Sequence, residues 1–181
     1  MPPPARILAL CLLLTAFPTF AQDNDLAPAN PEVAVWKQHL ADVSAVLGPQ
    51  LNCDAPKIVD AEQFADQGPS VALVKPCPTG EHADQIKVLI LEDGKPIMAR
   101  FRDPSGKPMT PQLERSKSQL KPRDVQLDAR HGEIITTAQD RNEHNQYLGC
   151  IAAVFSWNRR TRTFDWNTGK SKKQYISYCA Q

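Results

Sequence analysis

Apolar residues first recur at helical spacing after Asn30, where Val33, Trp36, Leu40, Val43 and Leu47 follow one another at three- and four-residue steps. Such a stripe predicts one amphipathic helix. Asn30 supplies a cap, Pro31 suits the first helical position, and Gly48-Pro49 supplies the stop. Downstream of Ser70 the pattern changes to runs rich in Val, Ile and Leu. Ser70 to Lys75 and Ile86 to Leu91 read as strands, and Asp93-Gly94 gives the turn of a hairpin that continues to Arg102. Further strands are expected at Val125 to Asp128, Glu133 to Ala138, Cys150 to Trp157, Thr163 to Trp166 and Tyr175 to Cys179. Short helices are expected around Asp60 to Asp66 and Gln112 to Leu120. The expected fold class is therefore α+β: an N-terminal amphipathic helix packed on a mainly antiparallel β-sheet.

The N-terminus has a different pattern. Arg6 precedes eleven largely apolar residues, Ile7 to Phe17, and Pro18 and Thr19-Phe20-Ala21 follow. This is the layout of a cleavable signal peptide with the cut after Ala21. The run is shorter than the roughly 20 residues a membrane-spanning helix needs, so no stable anchor is expected after cleavage. Residues 1–21 then form the signal, 22–30 a polar disordered leader, and 31–181 a single globular α+β domain. The expected location is periplasmic or secreted.

Export changes the reading of the cysteines. Cleavage removes Cys11 and leaves Cys53, Cys77, Cys150 and Cys179, an even number that in an oxidising compartment reads as two disulfides. Pairings Cys53–Cys77 and Cys150–Cys179 are expected because each closes a local loop. No Cys-x-x-Cys pair and no histidine at ligand spacing from a cysteine is present, so neither a zinc site nor another cofactor is expected.

The near-neutral total of 21 Lys/Arg against 20 Asp/Glu hides an asymmetry. From Gln22 to Gly94 four basic residues stand against twelve acidic ones, and from Lys95 to Gln181 sixteen stand against eight. Either the two halves face each other, or a basic surface is offered to an anionic partner. The densest basic and aromatic stretch contains Trp157, Arg159, Arg160, Arg162 and Trp166, with Lys172 and Lys173 beyond. These are the candidate binding residues. The same stretch can be read as a hairpin whose turn carries the arginines and whose aromatic residues point inward by alternation. Nucleic acid is not an expected partner, because the exported chain is neutral in sum.

Asp140, Glu143, His144 and His131, with Asp128 nearby, form the second candidate, a set able to move protons. They carry no fixed catalytic spacing such as His-Glu-x-x-His, and no Gly-x-Ser-x-Gly nucleophile motif is present. The expectation is a small binding or inhibitory protein of the bacterial cell envelope, of the immunity or inhibitor type. It would act by contact with a protein partner, one with an acidic surface if the basic half is used. The alternatives are an envelope hydrolase using the polar Asp/Glu/His loop, and a carbohydrate- or cell-wall-binding module using Trp157 and Trp166. Exposed tryptophans would favour the binding module, and clustering of the polar residues in one cleft would favour the hydrolase.

Overall fold

A computed structural model of the chain describes residues 30–48, 55–79, 83–115, 123–141, 143–144 and 146–174. The expected signal peptide, the leader up to Ala29, and the strand at Tyr175 to Cys179 lie outside them. The fold is α+β and mostly strand, with two short helices and antiparallel-rich sheets.

Helix α1 (Pro31–Gln38) starts as its sequence predicts, with the Asn30 side chain accepting from the Glu32 amide at 3.0 Å. The expected single helix is interrupted at His39, and α2 (Leu40–Leu47) resumes one residue later and ends at Gly48 with φ 74°. The apolar stripe survives the break. Trp36 and Val43 are fully buried, and Val33, Leu40 and Leu47 pack around them. Trp36 Nε1 donates to Ser70 Oγ at 2.8 Å, and that hydroxyl in turn donates to Glu32, so the indole docks without an orphaned polar atom.

The helices cover one face of a first sheet, β1 (Lys57–Gln63), β2 (Ser70–Lys75), β3 (Gln85–Glu92) and β4 (Lys95–Met98), in that order, with β7 (Leu113–Glu114) also paired to β3. The ladders are antiparallel. Ala72, Val74 and Leu89 face the helices, while Val71, Leu73, Val88 and Ile90 face the other way. Strand β2 is thus buried on both sides, as its unbroken apolar run requires of a middle layer. Asp93 (φ 51°) and Gly94 (φ 73°) form the β3–β4 turn as expected.

The second sheet has the order β6 (Pro108–Met109), β5 (Phe101–Arg102), β11 (Thr163–Trp166), β10 (Tyr147–Asn158), β9 (Glu133–Arg141), β8 (Arg123–Asp128), and β12 (Lys172–Gln174) pairs the far end of β10. Apart from the two-residue parallel pairing of β5 with β11, these ladders too are antiparallel. The two sheets stack through Val71, Leu73, Val88 and Ile90 on one side and Phe101, Ile134, Phe155 and Phe164 on the other. Edge-on ring contacts lock this core, Phe101 to Phe155 at 5.2 Å and Phe64 to Phe164 at 6.0 Å. The architecture is helices on sheet on sheet, where one sheet was expected.

Two expected helices are corrected. Residues 57–63 form strand β1, with a bulge between Ile58 and Asp60. The extra residue, Val59, shifts the pleat by one, so Ile58 and Ala61 face the helices together although three positions apart. That spacing imitates a helix. Within 112–115 the chain forms β7, because Leu113 pairs Ile86 and enters the core; 116–120 lie outside the described residues. No disulfide joins two described residues. The expected Cys53–Cys77 and Cys150–Cys179 pairings fall beyond them, at Cys53, at Cys179 and at the Cys150 side chain.

Candidate functional site

Three turns meet at one end of the sandwich. The β1–β2 turn runs through Ala65 to Gly68, the β8–β9 turn through Ala129 to Gly132, and the β10–β11 turn through Arg159 to Arg162. Backbone bonds knit them together: Ala65 N donates to Ala129 O at 2.9 Å, and Trp157 N donates to Gly132 O at 2.8 Å. Arg159 Nη2 adds a side-chain bridge, donating to Asp66 O and to Gln67 Oε1. Asp66 and Gln67 both hold left-handed φ angles, 53° and 61°, which presents that carbonyl to the guanidinium. A groove of about 260 Å³ lies between the turns, walled by Phe64, Asp66, Arg130, His131, Trp157 and Arg159.

Strand geometry explains the polar groups on its rim. Asp128 ends β8 and its carboxylate takes two bonds from His131, Oδ2 at 2.8 Å from Nδ1 and Oδ1 at 3.2 Å from the backbone amide. The side-chain bond from His131 holds the Asp128 carboxyl below the usual range, helped by that backbone bond and by the charges of His131 and Lys170. With Nδ1 engaged, Nε2 is the ring nitrogen left over. Arg130 and Arg160 are exposed, and neither side chain has a hydrogen bond or ion pair among the described residues. Arg162 instead turns to the first sheet, its Nη2 2.6 Å from Glu92 Oε1.

The expected binding residues therefore divide. Arg159, Arg160 and Trp157 join the groove end; Arg162 closes an ion pair beside it. Lys172 and Lys173 pair with Ala152 and Ile151 at the far end of β10, about 20 Å along the strand from Asn158 at ~3.3 Å per residue. Trp157 and Trp166 are partly buried in the core, Trp157 5.0 Å from Phe164 and Trp166 5.3 Å from Phe155. Both rings are engaged in packing against core phenylalanines, which is a structural use of the aromatic residues.

The expected proton-moving set is split as well. His131 sits at the start of β9, whereas Asp140 lies near its end, opposite Gly149, with Glu143 and His144 exposed in the turn beyond. Those ends are about 26 Å apart at ~3.3 Å per residue. His131 has Asp128 as its partner, and no group of three or more Asp, Glu, His or Cys able to hold a metal occurs among the described residues. Arg130 and the β1–β2 turn were not legible in the sequence, since nothing in the order Asp128-Ala-Arg-His-Gly132 indicates that a turn 64 residues earlier will face it.

Acidic and basic halves become layers. The helices and β1 to β3 come from the acidic half, β4, β7 and the whole second sheet from the basic half, and the ion pairs Arg162–Glu92 and Arg115–Asp124 join the layers among the described residues. Comparison with known proteins finds no matching family model, no matching curated protein and no matching solved structure. No helix among the described residues is long and apolar enough to cross a membrane.

Proposed function

We propose that this is an exported binding protein of the bacterial cell envelope, of the inhibitor or immunity type, which docks the turn-bearing end of its sandwich onto an acidic surface of a partner protein. The observation that carries the reading is the convergence of Arg130, His131 and Arg159 on one groove, with the exposed Arg160 next to Arg159, on two neighbouring turns held by a double sheet. Rigid scaffolds with charged turns at one end are a common design for recognition. A carbohydrate module loses support because its tryptophans are used in the core. A hydrolase loses support because its polar residues stand at opposite ends of β9.

Export and two disulfides belong to the same reading. Cys77 is buried, as a disulfide cysteine would be. Lys57 pairs with Lys75, and in sequence Cys53 precedes the one by four residues and Cys77 follows the other by two, which favours Cys53–Cys77. Cys150 pairs with Gln174 in the β10–β12 ladder, and Cys179 follows Gln174 by five residues in sequence, which favours Cys150–Cys179.

Capture from envelope extract of the native host tests the docking. Wild type and the Arg130→Glu/Arg160→Glu variant are compared at about 20 and 200 mM salt, where screening lengths differ about threefold. Retention of one partner by the wild type, weakened by salt and lost in the variant, is the expected result. Retention indifferent to both changes would move the interface elsewhere.

A further inference from the structure

We infer that the groove between the three turns receives a carboxylate side chain from an acidic peptide segment of the partner, held by Arg130 and by Nε2 of a protonated His131. This rests on the docking reading above and names the group that docks.

The proton follows from the hydrogen bonds. In a neutral imidazole whose Nδ1–H donates to Asp128, Nε2 carries a lone pair and would repel a carboxylate. A carboxylate can approach only if Nε2 also bears hydrogen, so binding takes up one proton from solution when the ring starts neutral. Asp128 on the same turn favours that uptake, and Lys170 acts on Asp128. Arg130 beside the ring and Arg159 across the groove oppose it, while Asp66 across the groove favours it. An incoming carboxylate shifts the balance towards uptake, since its one negative charge offsets part of the repulsion between the two arginines and the imidazolium. Asp66 is the acidic residue on the wall, and the Arg159 guanidinium, bonded to its backbone carbonyl, stands next to it.

Size and shape select the ligand. About 260 Å³ is below the usual range for a whole small molecule, ~300–1,000 Å³, but ample for one acidic side chain. Trp157, which packs on Phe164, gives the wall an apolar aromatic surface against which the methylenes of a glutamate can lie.

Side-chain and backbone NMR of the mature protein with synthetic hexaglutamate peptide as the probe tests this at low salt. Saturable movement of the His131 ring resonances is expected, with affinity at least tenfold higher at about pH 5.5 than at about pH 8. Arg130→Ala should weaken it about tenfold. His131→Gln should keep the fold and abolish the pH dependence. Movement confined to Lys172 and Lys173, with His131 still, would overturn the groove assignment yet leave a basic docking surface. Movement nowhere would overturn both. Saturation of the His131 shift by inorganic phosphate at lower concentration than by the peptide would overturn the carboxylate as ligand.

Discussion

Lys170→Met is the perturbation whose cost the structure fixes most closely. Glu133 is nearly buried, its side chain 7% exposed, and both carboxylate oxygens accept from Lys170 Nζ, at 2.8 and 2.9 Å. Ser156 Oγ gives Oε1 a third bond at 2.8 Å. Removing the ammonium leaves a buried carboxylate with one neutral donor. Breaking a fully buried pair costs about 3–5 kcal/mol. Lys170 is 51% exposed, so water can reach the vacated side, and we reduce the figure to about 1.5–2.5 kcal/mol. At an m-value of ~2 kcal/mol/M the urea midpoint should fall by about 1 M. The double variant Glu133→Gln/Lys170→Met removes the stranded charge while an amide oxygen still accepts from Ser156, and should recover at least ~1 kcal/mol of the loss. Amide exchange should also quicken at Val154, whose N–H donates to Ser171 Oγ in the loop that Lys170 pins. A Lys170→Met cost under about 0.5 kcal/mol, or a double variant no better than the single, would refute the view that this pair anchors the loop leading into β12.

Arg160→Glu should change stability by no more than about 0.5 kcal/mol, because its side chain is exposed and has no partner among the described residues, and chemical denaturation checks it. Arg162→Glu should cost roughly 1–2 kcal/mol in the same assay, since it replaces an ion pair with repulsion against Glu92. Asp103 and Asp128 have carboxyls held below 3.8, Asp103 chiefly by the Ser105 hydroxyl and Asp128 chiefly by His131. Their stabilisation is therefore complete above about pH 5 and is lost as pH falls below about 4, so Asp103→Asn and Asp128→Asn should each flatten the acid limb of a stability profile measured by thermal melting. Protein exported by its native host should have the mass of a chain beginning at Gln22, and alkylation without reduction should label no cysteine; a retained Met1 would contradict export, and free thiols the two disulfides.

The elements legible in the sequence are those whose pattern is set locally. Asn30, Pro31 and Gly48 bound the helical region correctly because caps are chemistry within one turn, and the β3–β4 hairpin followed from Asp93-Gly94 for the same reason. Strand β11 coincides with its expected bounds, Thr163–Trp166, because Phe164 and Trp166 alternate cleanly against the core. Failure came where a partner decides. Val59 bulges only because β2 opposes it, and the resulting three-residue spacing of Ile58 and Ala61 cannot be told from a helix without that partner. Leu113-Glu114 is a strand because β3 has a free flank below β4. The division into two sheets is likewise a long-range matter, settled by which face of β2 meets helices and which meets Phe101, Phe155 and Phe164.

The same division bears on the site. Sequence composition located the arginine-rich turn, since a run of like charge needs no tertiary context to be seen. It could not sort its members. Arg159 is drawn to a carbonyl made available by two left-handed residues, and Arg162 to Glu92, so two of the three are partly committed to holding the sheets in register at that end. Arg160 remains, and the fold adds Arg130 and His131 from a turn that sequence treats as remote. A charge reversal of all three turn arginines would therefore mix a stability effect with a binding effect. Arg130 and Arg160, whose side chains bond to nothing among the described residues, separate the two, because their replacement removes charge without removing a contact seen among those residues.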